Sequence, residues 1–167
     1  MNTVHTLQEY VDALRAAGIL TGCTVPEALL ARGVECLTYD TRTLRENALF
    51  ICKGAHFKEE YLRDALSRGA FAYVAGQQHD VDAPCILVSD IRYSLVVLGQ
   101  LFFDRVTDKL TSVGITGTKG KSTTAYYVRY ILNDWLRAEN KPECAILSSI
   151  DNYDGKVSEE SHITTPE

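Results

Sequence analysis

The sequence predicts an α/β fold with helices packed on a sheet, and three observations carry that expectation. Short apolar runs of strand-type residues alternate with segments of helical spacing between residues 34 and 102. Helix start signals stand at the expected places, in Thr6 with Glu9 and in Asp90. Later in the chain an apolar run over residues 110–115 ends in a small-residue turn, and helical spacing begins directly after Lys121 and Ser122.

Thr6-Leu-Gln-Glu9 reads as a capping box, followed by Leu7, Tyr10, Val11 and Leu14 on one helix face, with Gly18 as the stop. Residues 19–33 mix apolar and turn residues and read as a connection. Residues 34–39 and 47–52 read as strands joined by a polar link. A helix is expected from Lys58 to Arg68, with Tyr61, Leu62, Ala65 and Leu66 on its apolar face and Gly69 ending it. Residues 71–75 and 85–88 give two further strands. Asp90 then caps a helix carrying Ile91, Leu95, Leu98, Leu101 and Phe102.

The charged stretch 104–109 marks a boundary, with one domain expected over residues 1–108 and a second unit over 109–167. That second unit is expected to begin with the strand at 110–115. A helix follows that buries Ala125, Val128, Ile131, Leu132, Trp135 and Leu136. The apolar run Cys144-Ala-Ile-Leu147 would then lie parallel to the first strand through a right-handed crossover. Asp154-Gly155 offers a hairpin turn. Two parallel strands and one helix cannot cover both faces of a parallel sheet, so residues 109–167 read as the beginning of a larger unit.

The chain has 167 residues, 46% hydrophobic and 23% charged, as in an ordinary globular protein. A formal net charge of −5 argues against a general nucleic-acid or anionic-membrane binder. No apolar run approaches the ~20 residues that span a bilayer, and the N-terminus lacks a basic-then-apolar signal pattern. Five widely spaced cysteines without a Cys-x-x-Cys pair argue against a disulfide framework or a cysteine-based zinc site, and fit a reducing cytoplasm. Cys52, Cys85 and Cys144 lie in apolar runs and read as small core residues.

The strand–turn–helix stretch carries the chemistry. Gly117, Thr118, Lys119, Gly120, Lys121, Ser122 and Thr123 form a phosphate loop whose backbone N–H groups converge on an anion at a helix N-terminus. Lys121 supplies a point charge to the β/γ-phosphates, and the Ser122 hydroxyl stands where Mg2+ bridges them. The loop departs from the commonest pattern, which places glycine where Ile115 stands. The expected ligands are ATP and Mg2+.

With three stretches in view the chain resembles the Mur ligases, the ATP-dependent amide-forming enzymes of peptidoglycan precursor synthesis. The first is Tyr39-Asp-Thr-Arg42 with residues 49–56 and 68–74, similar to the family's N-terminal uridine-nucleotide domain. The second is Gly114-Ile-Thr-Gly-Thr-Lys-Gly-Lys-Ser-Thr-Thr124, similar to its variant phosphate loop. The third is Thr164-Thr-Pro-Glu167, similar to a motif of the subgroup that adds the third stem-peptide residue to UDP-N-acetylmuramoyl-dipeptide.

The resemblance implies a uridine-nucleotide domain followed by the first βαβ unit of a phosphate-loop ATPase domain. It covers most of the chain and about the front third of a full ligase. It also implies the reaction: ATP phosphorylates a carboxylate of the UDP-muramoyl peptide, and the amine of an amino acid attacks the acyl phosphate. Lys121 would carry the catalytic charge, and Ser122 would meet the metal. Tyr39, Thr41 and His56 would surround the uridine diphosphate, while Thr164 and Thr165 would reach the sugar-peptide. Thr41 stands where serine is usual, Lys119 where Asn or His is common, and Ile163 where Asn is frequent. Two other readings compete. One is a non-catalytic module that binds the UDP-muramoyl peptide; the other is a small phosphate-loop ATPase or kinase.

Overall fold

A computed structural model describes residues 3–54 and 57–161. The chain forms two compact units, Met1–Thr111 and Ser112–Glu167.

The first unit is a five-stranded sheet between two helical layers. Helix α1, Leu7–Ala16, opens with the expected capping box. The Glu9 N–H donates to Thr6 Oγ1, and the Thr6 N–H donates to Glu9 Oε2 at 2.7 Å. Leu7, Tyr10, Val11 and Leu14 are all buried, as their spacing predicts. Gly18 ends the helix at φ 72, a left-handed turn in which its N–H reaches the Arg15 carbonyl and the Ile19 N–H the Leu14 carbonyl.

The parallel part of the sheet is β2 (Cys36–Thr38), β3 (Ala48–Ile51), β4 (Ala70–Ala75) and β5 (Cys85–Val88), paired in that order. The expected connection at residues 19–33 holds two further elements. Strand β1, Leu20–Cys23, pairs antiparallel with β5 at the sheet edge, and helix α2, Glu27–Leu30, follows Pro26. The run 20–23 is short and contains Gly22, so its strand character comes from pairing with β5 rather than from local preference.

Alternation along β3 explains the layering. Leu49 and Ile51 point into the cluster formed with α1 and with Leu98 of α4 (Ile91–Phe102). Ala48 and Phe50 point the other way, towards Leu62 and Ala65 of α3 (Glu59–Ser67). All four β3 residues are buried because helices cover both faces. Helix α4 carries the predicted cap, with Asp90 Oδ1 accepting from the N–H groups of Arg92 and Tyr93. Tyr61 departs from expectation: it is 45% exposed, at the margin of the α3 face, edge-on to Phe57.

In the second unit helix α5, Lys121–Ala138, stands with a three-stranded antiparallel sheet of β6 (Ile146–Leu147), β7 (Asp151–Tyr153) and β8 (Ser158–Glu160). Three expectations are corrected here. Residues 110–115 form no strand, and Leu110 and Val113 are 60% and 62% exposed, so among the described residues no sheet packs on the run to order it. The apolar run ending at Leu147 is not a parallel crossover strand; β6 turns back through residues 148–150 and pairs antiparallel with β7. Closing so short a loop costs less chain entropy than a crossover of more than a dozen residues. The α5 stripe is not a buried face either. Ile131 and Trp135 are exposed, Trp135 lies beneath Lys141 with Nζ 4.7 Å from the ring, and Asn133 is the buried residue of the helix. Phe71–Ala75, Cys85–Val88 and the Asp154-Gly155 hairpin turn formed as expected. In that turn Asp154 Oδ1 accepts from Lys156 and Val157, and Gly155 sits at φ 101.

Candidate functional site

Two loci hold the predicted site residues, one in each unit. In the first, the chain leaves the carboxyl end of β2 into a 3-10 turn at Thr41–Thr43. In open α/β sheets this end of the strands is where ligands bind. The turn is tightly wired. Thr38 Oγ1 accepts from the Asp40 N–H at 3.0 Å and lies 2.7 Å from Thr43 Oγ1, which also reaches the Asp40 carbonyl. Asp40 caps the turn, its Oδ1 accepting from the Arg42 N–H at 2.9 Å. The Arg42 guanidinium meets both carboxylate oxygens in a forked pair. That guanidinium, aided by the Arg42 N–H, holds the Asp40 carboxyl below the usual carboxylate range.

Thr41 is the residue of this turn whose side chain has no hydrogen-bond partner among the described residues. Asp40, Arg42 and Thr43 hold the backbone around it. Beside it Tyr39 presents an exposed ring with Lys53 Nζ 4.6 Å from its centre. An aromatic face, a cation and a hydroxyl at one sheet end suit a ligand with a planar base and a negative charge. Lys53 follows β3 and was not foreseen; its position in the run Cys52-Lys-Gly54 at a strand end was the available signal. His56 lies outside the described residues.

In the second unit, Gly120 leads α5 at φ 75, a left-handed conformation that a side chain rarely adopts. No side chain caps the helix, so its first N–H groups have no side-chain acceptor among the described residues. The Thr124 N–H closes the first turn on the Gly120 carbonyl at 2.9 Å. Lys121 Nζ donates to the Gly117 carbonyl at 2.9 Å, folding the cation across the loop. Thr118, Lys119 and Thr123 are exposed. Thr164 and Thr165 lie outside the described residues.

Ser122 Oγ lies 3.0 Å from Ser149 Oγ, an exposed contact with the bend after β6. One helical turn on, Tyr126 donates to Asp151 Oδ1, which raises the tyrosine's pKa. Ser149, Tyr126 and Asp151 were not anticipated; the Ser148-Ser149 pair closing an apolar run was the available signal.

The donor set of this loop, uncapped amides with an ammonium and a hydroxyl, fits a polyphosphate. It also fits Mg2+ in part, since Mg2+ takes few protein oxygens and keeps waters and phosphate oxygens. No group of three His, Cys, Asp or Glu side chains able to hold a metal ion exists among the described residues. No helix of the described residues is long and apolar enough to cross a membrane.

No family model matches the chain. Sequence relatives are nonetheless plain. The chain is 40% identical over 146 residues to the UDP-N-acetylmuramoyl-L-alanyl-D-glutamate--L-lysine ligase of Enterococcus faecalis, a match covering 86% of this chain and 28% of that one. A ligase of the same name from Streptococcus thermophilus is 41% identical over 132 residues, covering 78% of this chain and 26% of that one. The chain thus spans little more than a quarter of the length of these curated relatives. Among solved structures, one of MurF from Acinetobacter baumannii superposes with a TM-score of 0.55 at 20% identity, over 80% of this chain and 28% of that one. A structure of the UDP-N-acetylmuramoylalanyl-D-glutamyl-2,6-diaminopimelate--D-alanyl-D-alanyl ligase from the same organism gives 0.55 and 20%, over 80% and 29%. At that identity the likeness shows the α/β fold with its parallel sheet.

Proposed function

We propose that this chain, whose homologues are Mur ligases, is part of an ATP-dependent cytoplasmic ligase. Its reaction would join an amino acid to UDP-N-acetylmuramoyl-dipeptide in peptidoglycan precursor synthesis. The observation that carries the reading is the open N-terminus of α5, led by Gly120 and followed at once by Lys121 and Ser122. The lysine ligases among its relatives favour addition of the third stem-peptide residue, with an amine such as that of L-lysine.

Each locus then has a task. The turn at Thr41–Thr43 takes the uridine diphosphate end, with the Tyr39 ring beside the base, Lys53 beside the charge, and the Thr41 hydroxyl as donor. His56 belongs to the same reading. In the second unit, the loop amides and Lys121 hold the phosphates of ATP and spread the charge that grows during phosphoryl transfer. Ser122 is the residue that would hold Mg2+, whose charge neutralises neighbouring phosphate oxygens when bound. Thr164 and Thr165 would reach the sugar-peptide.

Titration calorimetry of the chain with UDP-N-acetylmuramoyl-dipeptide tests the uridine assignment. Binding by the wild type and a loss of at least about tenfold in Thr41→Ala are expected, the effect of one buried hydrogen bond to a charged group. Equal binding by both proteins would overturn it.

A further inference from the structure

We propose that Ser149 is a positioning residue for the metal end of the phosphate loop: its Oγ accepts the Ser122 proton and turns a Ser122 lone pair towards a divalent cation carried by a nucleoside triphosphate. The proposal rests on the nucleotide-binding reading of that loop.

A serine hydroxyl has one hydrogen to give and two lone pairs to offer. Near a helix start it can spend the hydrogen on a neighbouring backbone carbonyl and leave its lone pairs in an arbitrary direction. Ser122 does not. Its side-chain partner is Ser149 Oγ at 3.0 Å, 27 residues further along the chain. Either oxygen can be the donor while the loop is empty. A cation beside Ser122 decides the matter, because it repels the hydroxyl hydrogen and attracts the lone pair. Ser122 must then donate, and Ser149 must accept.

Ser149 is well held for this role. Its neighbour Ser148 ties the bend, with Oγ accepting from the Ile150 and Asp151 N–H groups at 3.1 Å and reaching the Asp151 carbonyl at 2.9 Å. Asp151 accepts from Tyr126, one helical turn beyond Ser122. The bend is therefore clasped to α5 at two successive levels, by Ser122 with Ser149 and by Tyr126 with Asp151. The Ser149 side chain is exposed, and what is fixed beforehand is the backbone of the bend that carries it.

The test uses the 167-residue chain with two probes: ATP with Mn2+, followed by electron paramagnetic resonance, and ATP with chelator, followed by calorimetry. Ser149→Val and Ser149→Thr have nearly the same shape, and only threonine keeps the hydroxyl. Ser149→Val is expected to weaken Mn2+–ATP binding 10- to 100-fold, the range for loss of an outer-shell partner, and to leave metal-free ATP binding unchanged. Ser149→Thr is expected to restore the metal-dependent part, and Lys121→Ala to weaken both. Wild-type Mn2+–ATP affinity in Ser149→Val would overturn the proposal. So would an equal loss with and without metal, which marks a merely structural role. Absence of ATP binding by the wild type under both conditions would overturn the nucleotide reading, and the proposal with it.

Discussion

Lys121 Nζ donates to the Gly117 carbonyl at 2.9 Å, so the cation of the phosphate loop is parked on the loop's own backbone. A triphosphate must draw it away, exchanging a neutral acceptor for a charged one. Both hydrogen bonds involve the ammonium charge, but only the phosphate adds a full opposite charge, and hydrogen bonds to charged groups contribute about 1.5–3 kcal/mol. Lys121→Ala is therefore expected to weaken ATP binding roughly 10- to 100-fold. Lys121→Arg should recover little, because its planar fork does not replace a compact ammonium. Calorimetry with ATP measures both.

The turn at Thr41–Thr43 predicts an asymmetry between two paired residues. Asp40 accepts from the Arg42 backbone N–H as well as from the guanidinium, and its side chain is mostly covered. The Arg42 side chain is 87% exposed. Asp40→Ala removes a cap and should cost about 1 kcal/mol. Arg42→Ala should leave the urea midpoint unchanged, as surface ion pairs contribute little. Chemical denaturation of both variants checks the order.

His5 sets a pH window for the first unit. Its Nδ1 lies 3.0 Å from Glu9 Oε1 and its Nε2 2.9 Å from Asp104 Oδ1. The hydrogen bond His5 donates to Glu9, then the one it donates to Asp104, raise the histidine's pKa above 6.5 against the opposing effect of burial. The same histidine, then the Thr6 N–H, lower Glu9 from 4.5 to about 2, and the Thr3 N–H, then His5, lower Asp104. A raised histidine stabilises fully below its unfolded value near 6.5 and ceases to as pH climbs through the folded value. Lowered carboxylates stabilise above their unfolded values near 4 and cease to as pH falls towards the folded ones. The network thus contributes most between about pH 4.5 and 6.5. The gap in urea midpoint between wild type and His5→Gln should be widest near pH 5.5 and narrow by pH 8.5.

Gly69 ends α3 at φ 114, and a Cβ there would stand 3.2 Å from the Glu46 Cα, a backbone atom that cannot swing aside. Gly69→Ala combines that contact with a conformation unfavourable to side chains. A loss of about 1–2 kcal/mol is expected in thermal or urea unfolding.

How much of this was legible in the sequence depended on where each segment's partners came from. The α1 face was readable because Leu7, Tyr10, Val11 and Leu14 repeat at the helical period and meet a sheet within the same unit. Thr6 and Asp90 were readable because caps act over three residues. Strand β1 was hidden, since only its pairing with β5 makes it a strand. The turn around Thr41 was found by its motif, while Lys53, 12 residues on, joined Tyr39 only through the parallel pairing of β2 with β3. Ser149 was hidden for the same reason, being brought to Ser122 by the clasp between α5 and the bend after β6.

The largest departure, the uncovered stripe on α5, gives the last prediction. Spacing alone assigned Trp135 to a packed face, but periodicity reports that a helix is two-faced, not that a neighbour is present. In the second unit Trp135 is 53% exposed and its ring contact is the Lys141 ammonium, 4.7 Å from the centre. It is the chain's single tryptophan, so its fluorescence reads this position without interference. Native protein should show red-shifted emission and ready quenching by acrylamide, with little further shift in denaturant. Iodide should quench more strongly than caesium, because the lysine ammonium beside the ring attracts anions, and Lys141→Ala should narrow that difference. Blue-shifted emission that resists acrylamide would instead mean that α5 has found a covering surface in solution.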